Sequence, residues 1–332
     1  MKREKAWRRV GTPETGFTYL GANGQPLRAA AALRRIRALA IPPAWTDVRI
    51  APDPDAKIQA TGFDAAGRKQ YRYHADFVAK RSRRKYGRLL AFARLIPRLR
   101  QVTGEHLKEP GVGRRKVLAT VVRLIGRGFF RVGSERYAVA NKTFGIATLR
   151  KSHLAIQGDD LVFRYSGKRS IQQRRVVAGT PLVEVVREIL RLPGTRLFQY
   201  RDEEGRVRPV TAREVNAYLK EILGAKYTSK DIRTWGGTVR AALILSDLGP
   251  PDSAAEARRN VVLACKLVST ELGNTPAICR SAYIHPAVLE RYGEGKTIGP
   301  LMRETQRPGE DEAPGRYYPE EAALMRFLER WS

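Results

Sequence analysis

The sequence predicts an α+β protein with two lobes, a small N-terminal lobe that contains a β-sheet and a larger, mainly α-helical lobe with a short three-stranded β element. Three observations lead to this prediction. Strand-like segments separated by turn residues dominate residues 40–75, capped helical segments follow a basic run at residues 80–85, and one hairpin pattern interrupts those helices. We therefore place the boundary at residue 80, which gives lobes of residues 1–80 and 81–332.

In the small lobe, the sequence predicts a helix over residues 28–39 and strands over residues 58–62 and 70–73. Successive side chains of a strand alternate between its faces, so Tyr71 and Tyr73 should share one face. The basic run that follows has two interpretations. It is either a solvated helix face or a linker laid across phosphates, and the charge of the whole chain favours the linker.

Capping signals predict where the helices of the large lobe begin and end. A hydroxyl residue followed three positions later by an acidic residue is typical of a helix N-terminus. This pattern occurs at Thr211 with Glu214, at Thr228 with Asp231, and at Ser253 with Glu256. Gly273 can close the last of these helices as a left-handed cap, and Thr275 with Pro276 can open the next one. An apolar stripe over residues 117–125 predicts a further helix that ends at residues 126–128, where two glycines lie.

The β element of the large lobe lies between these helices. Residues 154–157 and 161–165 flank a Gly-Asp-Asp turn and predict a hairpin. Residues 171–177 can add a third strand, with Lys168 in the turn before it.

Net charge is the strongest compositional signal. The chain has 62 Lys and Arg against 33 Asp and Glu, a net charge of +29. Such an excess repels itself in a compact state, and an anionic partner relieves the repulsion. Nucleic acid is the first candidate, because each neutralised phosphate releases counterions. An anionic membrane is the second, but the sequence has no apolar run of about 18 residues to span one. A ribosomal or histone-like protein would concentrate its charge in tails, whereas here it is spread along the chain.

Cysteine and histidine usage argues against disulfides, metals and cofactors. Cys265 and Cys279 lie in apolar helical segments and the N-terminus lacks an apolar secretory core, so we expect a protein of the reducing cytoplasm. The four histidines are scattered without ligand spacing, so no metal site is expected. The Gly-Lys-Thr at residues 295–297 lacks the upstream glycine and strand of a nucleotide-binding loop, so no cofactor is expected.

What remains is a set of cationic and phenolic side chains suited to phosphoryl transfer. That chemistry requires the negative charge on the nonbridging oxygens to be held and offset, and arginine does so with a planar fork that stays protonated. A cut that must be resealed also needs a covalent intermediate, and hence a side-chain nucleophile. A tyrosine by itself is weak support, because the chain contains 13 of them.

The neighbourhoods of these residues give the specificity. Several long blocks, in the right order, resemble the poxvirus-like, bacterial branch of the type IB DNA topoisomerases over nearly the whole chain. The blocks are residues 41–48, 59–62, 67–74, 131–137, 141–145, 148–150, 163–168, 230–235, 272–276 and 281–286. The resemblance implies the fold that these enzymes share with tyrosine recombinases, in which residues 1–80 and 81–332 close around duplex DNA as a clamp and the second lobe carries the catalytic residues.

The resemblance also implies roles for five residues. Tyr283 would attack a backbone phosphate, form a 3′-phosphotyrosyl bond and expel a 5′-hydroxyl. Arg131 and Arg233 would hold the nonbridging oxygens, and Lys168 would protonate the leaving oxygen. Asn274 stands where poxvirus and eukaryotic members usually carry histidine. An amide can donate a hydrogen bond to a phosphate oxygen but cannot shuttle a proton.

The implied activity is relaxation of supercoiled DNA by a monomer, with neither ATP nor metal, at the bacterial nucleoid. A free tyrosine ionises only near pH about 10. No carboxylate base flanks Tyr283, and the two arginines would favour its phenolate instead. Lys168 is the least distinctive of the five, since other cations crowd the same hairpin. These are Arg164, Arg169, Arg174 and Arg175.

Further residues are candidates for binding DNA outside the reacting centre. They are Gln59, Arg68, Lys69, Tyr71, Tyr73, Lys142 and Lys230. Packing is the alternative for the two tyrosines of the small lobe. Two other functions stay open: a tyrosine recombinase, although Arg233 is followed by Thr-Trp-Gly rather than by the usual histidine pattern, and an architectural DNA-binding protein without enzymatic activity.

Overall fold

The computed structural model describes residues 6–178, 181–224, 226–305 and 315–331. It separates into two compact units, Met1–Tyr86 and Gly87–Ser332. The predicted boundary at residue 80 lies six residues before this division and inside a continuous helix. The first unit contains a small sheet and the second is mostly helical, so the α+β prediction is confirmed.

The ten strands of the described residues are β1 (Trp7–Thr12), β2 (Gly16–Leu20), β3 (Thr46–Ile50), β4 (Ile58–Phe63), β5 (Lys69–Tyr73), β6 (Leu154–Gln157), β7 (Asp160–Ser166), β8 (Gln172–Val177), β9 (Gln199–Arg201) and β10 (Val207–Pro209). The thirteen α-helices of the same residues are α1 (Ala30–Ala38), α2 (Ala75–Ala93), α3 (Ile96–Leu107), α4 (Arg114–Gly128), α5 (Glu135–Asn141), α6 (Leu182–Leu190), α7 (Ala212–Leu223), α8 (Ser229–Asp247), α9 (Ala254–Leu272), α10 (Pro276–Ala282), α11 (Pro286–Tyr292), α12 (Gly299–Thr305) and α13 (Pro319–Trp331).

The N-terminal unit is a five-stranded antiparallel sheet in the order β2-β1-β3-β4-β5. Its core contains Ile36 of α1 together with Val48, Ile50 and Ala60 of the sheet. Helix α1 and strands β4 and β5 were predicted, whereas β1, β2 and β3 were not. Strand β1 is mostly exposed and lacks the apolar alternation by which a half-buried strand is recognised. Strand β2 does alternate, with Phe17 and Tyr19 half-buried, but it is only five residues long.

The basic run at residues 80–85 lies inside α2. Its arginines Arg81, Arg83 and Arg84 are exposed on that helix. Of the two interpretations the structure therefore favours the solvated helix face, and contact of this run with phosphates stays a prediction. Long basic side chains support a helix as well as a linker, because Arg and Lys are good helix formers.

Helix α4 is the centre of the second unit. The predicted stripe, which runs from Val117 to Ile125, is fully buried, and α4 contacts α3, α6, α7, α8 and β8. The helix continues through Gly126 and ends after Gly128. The left-handed residue that terminates it is Phe129, with φ of 51°.

The β element has the predicted strands, paired antiparallel in the order β6-β7-β8. Tyr165 of β7 faces Gln173 of β8, and Phe163 faces Arg175. Along β8 the buried positions are Gln173, Arg175 and Val177, so these three side chains share the inner face.

The predicted caps fix the ends of the helices that surround the site. Thr211 and Glu214 form the reciprocal capping box of α7, and the Asp231 carboxylate accepts from the backbone N–H of Thr228 at 2.9 Å. Ser253 Oγ accepts from the N–H of Glu256, and Gly273 closes α9 with φ of 63°. Thr275 Oγ1 then accepts from Ile278 N–H, with Pro276 as the first residue of α10. The acidic stretch at residues 309–312, for which the sequence predicts no role, lies outside the described residues.

Candidate active site

Arg131 lies just past the end of α4, on a segment fixed by backbone hydrogen bonds. Its carbonyl accepts from Ile146 N–H at 2.8 Å, and the Val132 carbonyl accepts from Ala147 N–H at 2.9 Å. The two segments approach so closely that a Cβ on Gly145 would lie 2.6 Å from the Arg131 carbonyl oxygen. Only glycine permits this approach, which places the guanidinium of Arg131 beside the end of α9.

Arg233 projects from the first half of α8 and is 3% exposed. Its Nη1 donates to the Phe129 carbonyl, where α4 ends, and its Nη2 donates to the Leu272 carbonyl at 2.9 Å. The guanidinium therefore joins the C-terminal ends of two helices, whose last carbonyls lack partners within the helix.

Arg131 occupies the next acceptors along the chain. Its Nη2 donates to the Gly273 carbonyl at 2.7 Å and to Asn274 Oδ1. The two arginines thus lie side by side because consecutive carbonyls at the end of α9 hold them. A helix C-terminus carries partial negative charge, which stabilises both cations without a carboxylate.

Tyr283 is the residue that terminates α10, and its side chain lies against Arg233. The Arg233 Cζ is 5.4 Å from the centre of the Tyr283 ring. Burial lowers the pKa of Arg233, while the Tyr283 phenol raises that pKa through its charge and a side-chain hydrogen bond. Burial also lowers the pKa of Arg131, and Tyr283 opposes this shift. The structure therefore brings Arg131, Arg233, Asn274 and Tyr283 together.

Two glycines of α8 make room for this arrangement. A Cβ on Gly236 would lie 2.3 Å from the Phe129 ring, and one on Gly237 would lie 2.9 Å from the Tyr283 carbonyl oxygen. The sequence analysis did not single them out as site residues. Their signal was a pair of glycines in the interior of a helix, which costs stability unless close packing requires it.

Gly237→Ala should therefore displace Tyr283. We expect the DNA cleavage that the sequence resemblance implies for Tyr283 to slow by about 10²-fold in a single turnover, because a shift of about 1 Å in a reacting group has that effect. Overpacking should also lower the free energy of unfolding by about 1–3 kcal/mol. The matched control is Gly87→Ala in α2, where a Cβ meets nothing within 4 Å. Unchanged cleavage by Gly237→Ala would show that Tyr283 does not need this close approach.

Lys168 is the one of the five that the structure does not bring to this cluster. It begins an exposed turn between β7 and β8, in which Arg169 and Ser170 have positive φ. Among the described residues it has no hydrogen bond or ion pair with the other four. Of the competing cations in the same hairpin, Arg175 is the buried one that lies near Arg131 and Arg233.

Gln59, proposed from the sequence to contact DNA, is 2% exposed. Its Nε2 donates to the carbonyls of Pro54 and Ala56 at 2.7 Å each, and its Oε1 accepts from Arg35 at 2.6 Å. The prediction that Gln59 faces a groove is therefore wrong. Its amide instead holds the loop before β4. From the sequence alone, a glutamine in a strand could not be assigned to this structural role rather than to contact with a base.

The other candidates of the N-terminal unit lie on or beside β5. Tyr71 and Tyr73 share one face, with ring centres 5.9 Å apart, and Tyr71 is 42% exposed. Lys69 lies over the Tyr71 ring, and Arg68 pairs with Asp64 at 2.8 Å. This group offers cations and aromatic faces together, a combination that suits nucleic acid.

Lys142 and Lys230 are both exposed. Lys142 ends α5 in the left-handed conformation, with φ of 48°. Lys230 lies in the first turn of α8, close in sequence to Arg233. Their ammonium groups are open to solvent and are available to phosphates.

Other nucleophiles and ligands near the cluster are inert. Burial raises the pKa of the Cys279 thiol to about 12 and also raises the pKa of Cys265, so both remain thiols near neutral pH. His285 is buried, and its Nδ1 accepts from Ala287 N–H to cap α11. Within the described ranges, no group of three or more His, Cys, Asp or Glu side chains could hold a metal ion. None of the helices described there is long and apolar enough to cross a membrane.

Two family models match the chain. The family model of the eukaryotic DNA topoisomerase I catalytic core matches residues 70–307. That of the bacterial DNA topoisomerase IB N-terminal domain matches residues 16–64. All the residues of the cluster lie within the first match.

Viral relatives cover most of the chain. DNA topoisomerase 1B of Acanthamoeba polyphaga mimivirus is 32% identical over 267 residues, which span 78% of this chain and 80% of the relative. DNA topoisomerase 1B of vaccinia virus (strain Copenhagen) is 23% identical over 250 residues, 74% of this chain and 75% of the relative. DNA topoisomerase I of monkeypox virus is 23% identical over 245 residues, with the same two shares. Together with the family models, these matches show that the chain belongs to the type IB DNA topoisomerase family.

Proposed function

We propose that this enzyme relaxes supercoiled DNA by cutting one strand through a covalent bond between Tyr283 and a 3′ phosphate, and then resealing it. The observation that carries the proposal is the convergence of Tyr283 with two guanidiniums, the buried one of Arg233 and the half-buried one of Arg131, that are held by backbone carbonyls. Among the described residues neither cation has a carboxylate partner, so an anion such as a phosphodiester can satisfy them.

Arg131 and Arg233 hold the nonbridging oxygens in this mechanism. A guanidinium has five N–H donors, and the hydrogen bonds described above use only some of them. Tyr283 releases its phenolic proton to water as its oxygen attacks phosphorus, and the bond from phosphorus to the 5′ oxygen breaks. That oxygen takes a proton from Lys168, whose exposed turn has to move to the site when DNA binds. The two guanidiniums offset the charge that develops on the oxygens, which is the main contribution of such sites to rate.

Asn274 supplies a further donor. Its Oδ1 accepts from Arg131, which orients the amide, while its Nδ2 is buried without a hydrogen-bond partner among the described residues. A buried donor without a partner is costly. A phosphate oxygen beside Nδ2 removes that cost, so an amide can replace the histidine of other members by hydrogen bonding alone.

The reaction needs neither ATP nor a metal ion in this proposal. Each exchange replaces one phosphodiester by another, so the phosphotyrosine conserves the bond energy and the released torsion of the DNA drives relaxation. Guanidiniums supply the positive charge on the phosphate. The two units act as a clamp on duplex DNA in a monomer at the bacterial nucleoid, with Arg68, Lys69, Lys142 and Lys230 on phosphates and the aromatic pair of β5 on the bases.

Supercoiled plasmid tests the proposal directly. With EDTA present and ATP absent, we expect complete relaxation, and rapid denaturation during the reaction should trap protein on one nicked strand. Peptide mapping should then identify Tyr283 as the attached residue. When the cleaved strand is labelled at its 5′ end, the labelled fragment should carry the protein at its new 3′ end.

The same assay separates the alternatives. A tyrosine recombinase would require a second DNA site and would leave a single plasmid supercoiled. An architectural DNA-binding protein would shift the plasmid in a gel without any covalent adduct. Attachment at a residue other than Tyr283, or a requirement for Mg²⁺, would overturn the proposed mechanism.

A further inference from the structure

A third arginine lies beside the cluster and has no role in the mechanism above. Arg175, on the inner face of β8, is 8% exposed. Its Nη2 donates to Gln173 Oε1 at 2.6 Å, and its positive charge opposes the burial that raises the pKa of Tyr165 on the neighbouring strand. Its Nε is buried without a hydrogen-bond partner in the described part of the chain.

The end of α9 brings Arg175 close to Arg131. A Cβ on Gly273 would lie 3.0 Å from Arg175 Nη2 and 3.3 Å from Arg131 Nη1. The missing side chain at Gly273 is therefore what lets the two guanidiniums approach each other. Repulsion from Arg175 lowers the pKa of Arg131 and that of Arg233, so its charge acts on both members of the clamp.

No counter-ion for this group lies on the described chain. Among the residues described, none of the three arginines forms an ion pair with Asp or Glu, although nine carboxylates of the same unit pair with other arginines within 3.2 Å. Three neighbouring cations, of which Arg175 and Arg233 are buried and Arg131 is half-buried, repel one another in the free protein. An anion that enters from outside lowers this electrostatic cost.

We propose that Arg175 is a positioning residue of the phosphate site, a third positive charge behind Arg131 and Arg233 that strengthens their hold on the scissile phosphate. The proposal rests on the function proposed above and adds a residue to it. Arg175 acts through its neighbours: its charge adds to theirs, while Gln173 fixes its guanidinium and prevents it from turning to solvent.

Two variants separate charge from packing. Arg175→Gln removes the charge, and Arg175→Lys keeps it. The matched control is Arg174→Gln, which removes the same charge from the exposed face of the same strand. Two quantities are measured: the single-turnover rate of covalent adduct formation on saturating duplex DNA, and the rise in Tm without DNA when sodium sulfate replaces sodium chloride at equal ionic strength.

We expect Arg175→Gln to form the adduct about ten- to a hundredfold more slowly, a smaller effect than that of a group touching the developing charge. Its sulfate-dependent rise in Tm should be smaller than that of the wild type. Arg175→Lys should keep the sulfate effect and stay within about tenfold of the wild-type rate, because the charge is retained. Arg174→Gln should match the wild type in both.

Either of two results overturns the proposal: cleavage by Arg175→Gln at the wild-type rate, or an equal sulfate effect in that variant and the wild type. If Arg175→Gln does not fold, Arg175→Lys alone tests the proposal. This variant keeps the positive charge, so loss of its sulfate-dependent rise in Tm would contradict a role of the charge. A wild-type protein that forms no adduct at Tyr283 refutes the proposed function instead. The sulfate measurement still tests Arg175 in that case, because it needs no DNA.

Discussion

Tyr283→Phe should abolish covalent attachment to DNA and, with it, the relaxation of supercoiled plasmid. The change removes one oxygen and keeps the ring that lies 5.4 Å from the Arg233 Cζ. Loss of the nucleophile of a covalent enzyme lowers its rate on the order of 10⁶-fold. The variant should still bind duplex DNA with wild-type affinity, because binding depends mainly on the basic residues that contact phosphates.

The measurement is quantitation of denaturation-resistant protein–DNA adducts, beside a gel-shift titration of the same duplex. Tyr317→Phe is the control, since it also removes a phenolic oxygen. The Tyr317 hydroxyl donates to the Ala93 carbonyl at 3.1 Å and lies outside the cluster. If Tyr283→Phe still formed adducts, the nucleophile would have to be another residue. If it bound DNA and relaxed it normally, the covalent mechanism would be untenable.

Arg233→Ala should slow single-turnover cleavage by about 10²- to 10³-fold, the usual effect of removing one donor from developing negative charge. It should also destabilise the fold, because the carbonyls of Phe129 and Leu272 lose their donor and remain buried. Each such group costs about 1–3 kcal/mol. Arg233→Lys keeps the charge but cannot span two carbonyls with one planar group, so it should recover little of the rate.

Cleavage is measured by rapid quench below the Tm of the variant, so that unfolding does not enter the rate. The control is Arg240→Ala on the same helix, whose guanidinium is exposed and pairs with Glu271 at 2.7 Å. That change should alter stability by at most about 1 kcal/mol and leave cleavage unchanged. A wild-type rate for Arg233→Ala would remove the guanidinium clamp from the mechanism.

Local signals in the sequence predicted most of the large unit. Helix caps depend on residues within one turn of each other, so Thr211, Ser253 and Thr275 could be identified from spacing alone, and the structure confirms all three. The same holds for the left-handed Gly273 and for the hairpin of β6 and β7. Family blocks then supplied four residues that the structure brings together.

The errors share a different cause, because each depends on contacts between distant segments. Gln59 has the chemistry to read a base, but its partners are Arg35 and the backbone of the preceding loop. The predicted end of α4 at residues 126–128 is confirmed, but the close approach of the left-handed Phe129 to Gly236 of α8 was not predicted. No spacing rule reveals such an approach between helices that lie far apart in sequence.

The hairpin cations show the same limit at the site. Strand alternation could say that Arg175 points to the opposite face from Arg174, but not which face is buried. Only the pairing of β8 with β7, and the packing of β8 on α4, turn Arg175 inward. The turn that carries Lys168 was predicted from the sequence. That Lys168 would lie apart from the other four residues could not be predicted.

The guanidinium of Arg233 has a mechanical consequence, since it ties the ends of α4 and α9 to α8 through two main-chain oxygens. Three helices meet at one side chain, so none of them can fray at that end without breaking the junction. Within the second unit, the geometry of the site and the folding of these three helices should therefore be lost together: denaturant should abolish turnover and the helical signal of this unit at the same midpoint.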